Sequence, residues 1–446
     1  MTARREASGI RGRFPAGCAL LGALILLRDG LSVPVGRSIL LFAATAVIVF
    51  LNADETRLFV FFLLPLYPGL PGNYLTLLLV GKLLFLACRE PARFRFSAKV
   101  MGAVLFFAAY LWGQNLILGE ISAYSFALGV EWVLLFLLAS DRAPLPIRAA
   151  VLVFSFAVML SGTAALFVFA NEHSFAEIFS GAVRFGDIYH TDGMHMTLDP
   201  NFLGFSCLAG MAAHAELVRA AAADTAEHRG ASRRKNGVSF ACMAGLFFFG
   251  TVGLSRTFLL CTAGLAVLEL AACLGKPRAA SRCLAAVAAF FACAAAAAMW
   301  LAPELFHALV MRFSAADFAG ANGRAALLAR WYDAFTSSPV TLFFGVGLFR
   351  TNVHVTALQY LFGLGLFGFF PAVFAFAGIL RGVGFRFRRR GCIPAVTVAV
   401  MSCAVPAACS LSALFPLFFA FCISGALSAT AGDTRESPSL RALPKE

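Results

Sequence analysis

Apolar runs of about 17 to 25 residues recur from Ala16 to Thr430, separated by short stretches rich in Arg, Lys, Gly and Pro. At ~1.5 Å rise per residue, each run can cross a ~30 Å hydrocarbon layer as an α-helix. Spans are expected near residues 73–88, 99–116, 121–140, 148–170, 200–222, 238–254, 257–274, 283–301, 354–380, 391–408 and 411–429. Three further runs, near 16–27, 38–52 and 58–70, are short or interrupted, the last by Pro65, Pro68 and Pro71. Together they predict an all-α polytopic membrane protein of about twelve to fourteen transmembrane helices. The first run has basic flanks like a signal peptide, yet no small-residue cleavage site precedes the next span, so it is expected to be retained.

Two long polar stretches, 171–199 and 302–353, break this pattern. The second ends at His354, at the mouth of a long apolar run. In a chain that is otherwise mostly membrane helix, an ordered loop of that length is where chemistry can sit. The expected organisation is an N-terminal set of helices over 1–147, a core over 148–380 carrying both loops, and C-terminal helices with a tail over 381–446. No soluble domain and no internal repeat of about 20–50 residues is visible. The alanine-rich tract Ala279–Ala298 suits a closely packed helix.

Composition agrees with this reading. A hydrophobic content of 60%, a charged content of 13% and a mean hydropathy of +0.83 exclude a soluble protein. Most of the 36 lysines and arginines fall in alternate connections, which become cytoplasmic if the N-terminus is inside. Lys82 lies within a helix. Arg28, Arg37, Arg184, Arg256, Arg312, Arg324, Arg330 and Arg350 remain outside. Membrane orientation therefore explains the net charge of +13 without a nucleic-acid partner. The twelve cysteines sit almost wholly in predicted helices and read as small packing residues.

On the external side the sequence places Arg184, then Asp199-Pro200-Asn201 at a helix start, then Leu254-Ser255-Arg256 at a tight tip between spans. The second loop adds Gly323-Arg324, Trp331-Tyr332, Gly345-Val346-Gly347-Leu348 and His354, followed by Gly363-Leu364-Gly365 and Gly368. Part of this is structural: Pro200 suits a first helical turn and Asp199 can cap it. Arg256 alone reads equally well as an interfacial anchor, and the glycines after His354 as packing positions for another helix. Guanidinium forks match phosphate oxygens, and a neutral imidazole with a reference pKa of ~6.5 can accept a proton near neutrality. The tract Asp187 to His195 offers two imidazoles and two carboxylates. Its spacing does not place both histidines on one helical face, so no metal site is expected.

The order and shared sidedness of these motifs, over about residues 150–380, resemble the bacterial O-antigen ligase and O-antigen polymerase family. The resemblance implies a GT-C-like membrane glycosyltransferase in the cytoplasmic membrane, with its active site on the external or periplasmic face. Such an enzyme takes a glycan from an undecaprenyl-pyrophosphate carrier to a hydroxyl of a saccharide acceptor, without metal or other cofactor. By the same resemblance Arg184, Arg256 and Arg324 hold the pyrophosphate, His354 deprotonates the acceptor, and Asp199 and Asn201 support the site. One departure stands out: the family histidine is commonly followed by Asn, whereas here Val355 follows and Asn352 precedes. Direct displacement at the anomeric carbon predicts inversion. The alternative from another class is a membrane transporter or lipid-linked oligosaccharide flippase, marked by broken helices and charge near the bilayer midplane. Glu131 and Lys82 are the mid-span charges that would serve it. A receptor with a small ectodomain ranks behind both.

Overall fold

The computed structural model describes residues 12–120, 123–180, 199–223, 229–273, 303–311, 324–351, 353–387, 391–404 and 411–433, with isolated helical residues between 285 and 300. They form helices α1 (Arg13–Gly30), α2 (Arg37–Phe50), α3 (Ala53–Leu63), α4 (Gly72–Arg89), α5 (Ala98–Ile117) and α6 (Ala123–Ser140). Next come α7 (Ile147–Ala170), α8 (Phe175–Ser180), α9 (Pro200–Ala223), α10 (Arg229–Val252), α11 (Arg256–Cys273) and α12 (Pro303–Met311). Last are α13 (Arg324–Thr336), α14 (Pro339–Phe344), α15 (Thr356–Gly382), α16 (Ile393–Ser402) and α17 (Leu411–Asp433). Five of these, α4, α5, α7, α11 and α15, are long and apolar enough to cross a membrane. Shorter apolar helical segments accompany them over 37–50, 125–140, 236–252, 393–402 and 414–429. The chain is a helical membrane protein.

The run near 58–70 is not a lipid-facing span. Asn52 opens α3 with a reciprocal cap: its side chain accepts from Glu55 N at 2.9 Å, and the Glu55 carboxylate accepts from Asn52 N at 3.0 Å. After eleven residues the prolines at 65 and 68 deny the ladder two donors, and the chain tightens into a 3-10 segment, Leu64–Gly69. Residues 55–67 are all buried. Irregular backbone at membrane depth survives only where protein surrounds it. Here α7 and α17 supply that surround, with Phe61 edge-on to Phe419 at 5.3 Å and Phe419 stacked on Phe154 at 4.0 Å.

Around this plug the helices form two groups. In one, α15 packs on α5 and α6, and α6 also packs on α4. In the other, α9 packs on α7, α10, α11 and α16. Helix α17 lies between them, touching α6 on one side and α9 and α16 on the other.

Contacts at the bundle ends unite residues that the charge asymmetry assigns to one side. At the end assigned to the cytoplasm, Arg93 forks onto Asp141 through Nε at 2.9 Å and Nη2 at 2.7 Å, and reaches Asp54 at 2.6 Å. Burial opposes the Arg93 charge, but these two carboxylates outweigh it and raise the guanidinium pKa. Arg57 completes the cluster, 3.3 Å from Asp141 and bonded to Ala143 O at 2.8 Å. At the opposite end the buried Arg28 grips Asp29 through two 2.7 Å bonds and ties Gly69 O at 2.7 Å, which fixes the exit of the 3-10 segment. Lys82 now has a structural explanation. Its ammonium reaches Val49 O at 2.9 Å, near the C-terminal end of α2 where the helix dipole favours a cation.

Candidate functional site

The described part of the second loop is built around a break in α15. Gly365 has φ 66° and ψ −177°, a glycine-only conformation that interrupts the helical ladder. The freed carbonyls are taken by the loop: Val346 N donates to Phe362 O at 3.0 Å and Gly347 N to Gly363 O at 2.9 Å. Side chains of α5 close the seam. Gln114 Nε2 donates to Phe344 O at 2.6 Å and Gly363 O at 2.8 Å, and Tyr110 Oη lies 2.9 Å from Phe344 O and 2.8 Å from Leu364 O. The backbones meet directly: a Cβ on Gly345 would stand 2.2 Å from Gly363 O, and one on Gly365 would stand 2.4 Å from Phe343 O. Gly363, Gly365 and Gly368 were expected to admit another helix. Gly368 does so, facing Tyr110 of α5, whereas Gly363 and Gly365 admit the loop, whose amides use the carbonyls that a broken helix exposes.

Before this junction, Ser338 caps α14 through a reciprocal contact with Thr341, and Pro339 sets its first turn. Phe335, Val353 and Phe362 form a small apolar core beneath α13 and α14, with Trp331 and Leu342 packed against it. After the junction Arg350 pairs with Glu120 at 2.6 Å and donates to Leu118 O at 3.1 Å. The turn to α15 follows. Thr351 Oγ1 donates to Gly347 O at 2.7 Å, Gln359 Nε2 to Thr351 O at 2.7 Å and Gln359 N to Val355 O at 2.9 Å. His354, partly exposed, sits inside that bracket with φ 57°.

A second cluster joins the two shorter motifs. Asp199 Oδ1 accepts from Asn201 N at 2.7 Å and Phe202 N at 3.3 Å, capping α9 as its sequence implied. Ser255 caps α11 through Phe258 N at 3.4 Å, and its hydroxyl donates to Asn201 Oδ1 at 3.1 Å, linking positions 54 apart in sequence. Leu254, which precedes Ser255, has φ 50°. Arg256 begins α11 with its side chain partly exposed. The remaining predicted residues are less fully placed. Arg184 and the Asp187–His195 tract lie outside the described residues, as does the side chain of Arg324, whose backbone opens α13.

The structure thus brings Asp199 and Asn201 to the turn that carries Arg256, and holds His354 in a separate turn on α15. These turns belong to different helix groups, α9–α11 and α5–α15. The two long loops do meet, where α8 packs on α12. Residues that the motif reading missed are Tyr110, Gln114, Glu120 and Gln359. A visible signal existed for two of them, since Tyr110 and Gln114 are polar positions inside an otherwise apolar run. Among the described residues three non-glycines have a left-handed backbone, Ser32, Leu254 and His354, and two of these lie in the candidate motifs. No family model, characterised protein or solved structure matches the chain.

Proposed function

We propose that the chain is a polytopic membrane glycosyltransferase of the O-antigen ligase or polymerase type. It moves a glycan from an undecaprenyl-pyrophosphate donor to a saccharide hydroxyl on the external face of a bacterial cytoplasmic membrane. The observation that carries the reading is the pair of left-handed non-glycine positions in the candidate motifs, Leu254, two residues before Arg256, and His354 itself. Such strain persists only where surrounding contacts over-determine it, and it concentrates at functional sites. The pairing of Arg350 with Glu120 at one end and of Arg93 with Asp141 at the other supports the assignment of sides.

The chemistry follows from the residue types. His354 takes the proton of the acceptor hydroxyl as the oxygen attacks the anomeric carbon. The carbon–oxygen bond to pyrophosphate breaks, and its electron pair leaves with the carrier. Arg184, Arg256 and Arg324 stabilise the charge that grows on the leaving group, an effect larger in the transition state than in the ground state. Asp199 and Asn201 act at one remove, by fixing the ends of α9 and α11.

Two features favour the second reading, a transporter or flippase. Helix α15 is broken, and Glu131 on α6 is fully buried, with neither carboxylate oxygen hydrogen-bonded among the described residues. Against it, the break is filled by the chain's own loop, whereas transporter breaks line a substrate cavity. The deciding experiment incubates purified protein with a polyprenyl-pyrophosphate glycan and a saccharide acceptor. Wild type should release the carrier pyrophosphate, and His354→Ala should be slower by about 10²–10⁴-fold. Equal release by both proteins removes the base. Movement of the donor across liposomes with no release supports the transporter.

A further inference from the structure

The turn that bears His354 is braced by the side chain of Gln359. Gln359 lies on the first turns of α15, 5% exposed, and spends its amide donor on the carbonyl of Thr351. Its backbone N–H takes the carbonyl of Val355. Two bonds from one residue therefore close the chain on both sides of His354. Thr351, 2% exposed, is tied in turn to Gly347, and Gly347 is tied to Gly363 on α15. The path leaves α15, passes through the loop and returns to α15, and His354 lies on the segment that it closes. Val353 is anchored separately, beside Phe335 and Phe362.

A β-substituted residue at φ 57° bears a steric cost that contacts around it must offset. Glycine would adopt this conformation freely, yet the position carries an imidazole, so the brace must supply what the residue lacks. We propose that Gln359 is the positioning residue for His354: its amide fixes the left-handed turn that carries the imidazole. This rests on the reading of His354 as the base, but the geometry it predicts can be measured without turnover. Gln114 provides the internal control. It also donates to carbonyls of the same loop junction, Phe344 O and Gly363 O, but not to Thr351, the residue that Gln359 ties next to the His354 turn.

The test compares wild type, Gln359→Leu, Gln359→Glu and Gln114→Leu as full-length proteins in detergent. Leucine nearly matches glutamine in volume but cannot donate, and an ionised glutamate would face the Thr351 carbonyl with acceptors alone. Carbethoxylation of His354 by diethyl pyrocarbonate is followed by mass spectrometry, with the other histidines as references. Both Gln359 variants should change the His354 labelling rate by about threefold or more and lower kcat about tenfold with KM little changed, the scale expected for loss of one hydrogen bond and of alignment. Gln114→Leu should leave His354 labelling at the wild-type rate even where it lowers thermal stability as much. An unchanged labelling rate in Gln359→Leu overturns the proposal, and so does an equal change in Gln114→Leu. If His354→Ala keeps wild-type transfer, the base assignment fails, while the labelling comparison still decides whether Gln359 holds the turn.

Discussion

Gly365→Ala tests the architecture of the candidate site most directly. The added methyl would stand 2.4 Å from Gly345 N and from Phe343 O and 2.5 Å from Phe343 C, all backbone atoms that cannot rotate aside. An L-residue at φ 66° and ψ −177° also carries about 1–3 kcal/mol of strain, and forcing an extra carbon into a packed contact costs about 1–3 kcal/mol more. The chain has one escape, which is to straighten α15 through position 365. That gains ~1 kcal/mol of helix propensity but sacrifices the Val346–Phe362 and Gly347–Gly363 bonds, at about 0.5–1.5 kcal/mol each. It also displaces the carbonyls that Gln114 and Tyr110 now satisfy. The first route sums to about 2–6 kcal/mol; because the second route is open, the net loss should fall in the lower half of that range. Gly113→Ala is the control, because nothing lies within 4 Å of its added methyl and a mid-helix alanine should gain about 0.5–1 kcal/mol. The assay is reversible unfolding by sodium dodecyl sulfate in mixed micelles, paired with the rate of tryptic cleavage after Arg350. Gly365→Ala should lower the midpoint and accelerate that cut, and Gly113→Ala should do neither. If Gly365→Ala unfolded at the Gly113→Ala midpoint with an unchanged cleavage rate, the loop would not be seated in the break as described.

Asp141→Ala should destabilise by about 3 kcal/mol in the same unfolding assay, because it strips Arg93 and Arg57 of a carboxylate whose side chain is 1% exposed; a loss below ~1 kcal/mol would make the cluster incidental. A double-mutant cycle on Asn201→Ala and Ser255→Ala should give a coupling of about 1 kcal/mol, the value of one neutral hydrogen bond, and additive effects would break the proposed link between α9 and α11. At α8, Ser174 donates from its backbone and hydroxyl to Glu177, which lowers the pKa of that carboxyl. The cap should therefore be intact above the ordinary glutamate range and be lost as the pH falls through the lowered value. Amide-exchange protection at Glu177 and Ile178 should follow that course, and should lose this pH dependence in Glu177→Gln, which removes the titrating carboxyl.

Hydropathy alone was enough to place the long helices, because one property decides them: an apolar run must be long enough for lipid and must satisfy its own backbone. The same reading overreached at 58–70. Pro65 and Pro68 were visible, but only neighbours such as Phe154 and Phe419 decide whether a proline-broken apolar segment is buried or faces lipid. Capping was also local and legible, since Asp199 acts on amides two and three residues ahead. Lys82 was legible as a mid-helix charge, but its partner is a carbonyl on another helix and has no signature in sequence.

The site divides in the same way. Its histidine, arginines and glycines could be found by residue type and order, because the chemistry restricts which side chains can serve. What Gly345, Gly347, Gly363 and Gly365 accomplish could not, since glycine is favoured equally by a tight turn, a helix crossing and a broken helix. Tertiary structure chose among these by bringing Gln114 and Tyr110 to the exposed carbonyls, more than 200 residues away along the chain. Residue types and apolar lengths are written locally. Hydrogen-bond partners across a break depend on which backbones approach within 3 Å, and only the folded chain decides that.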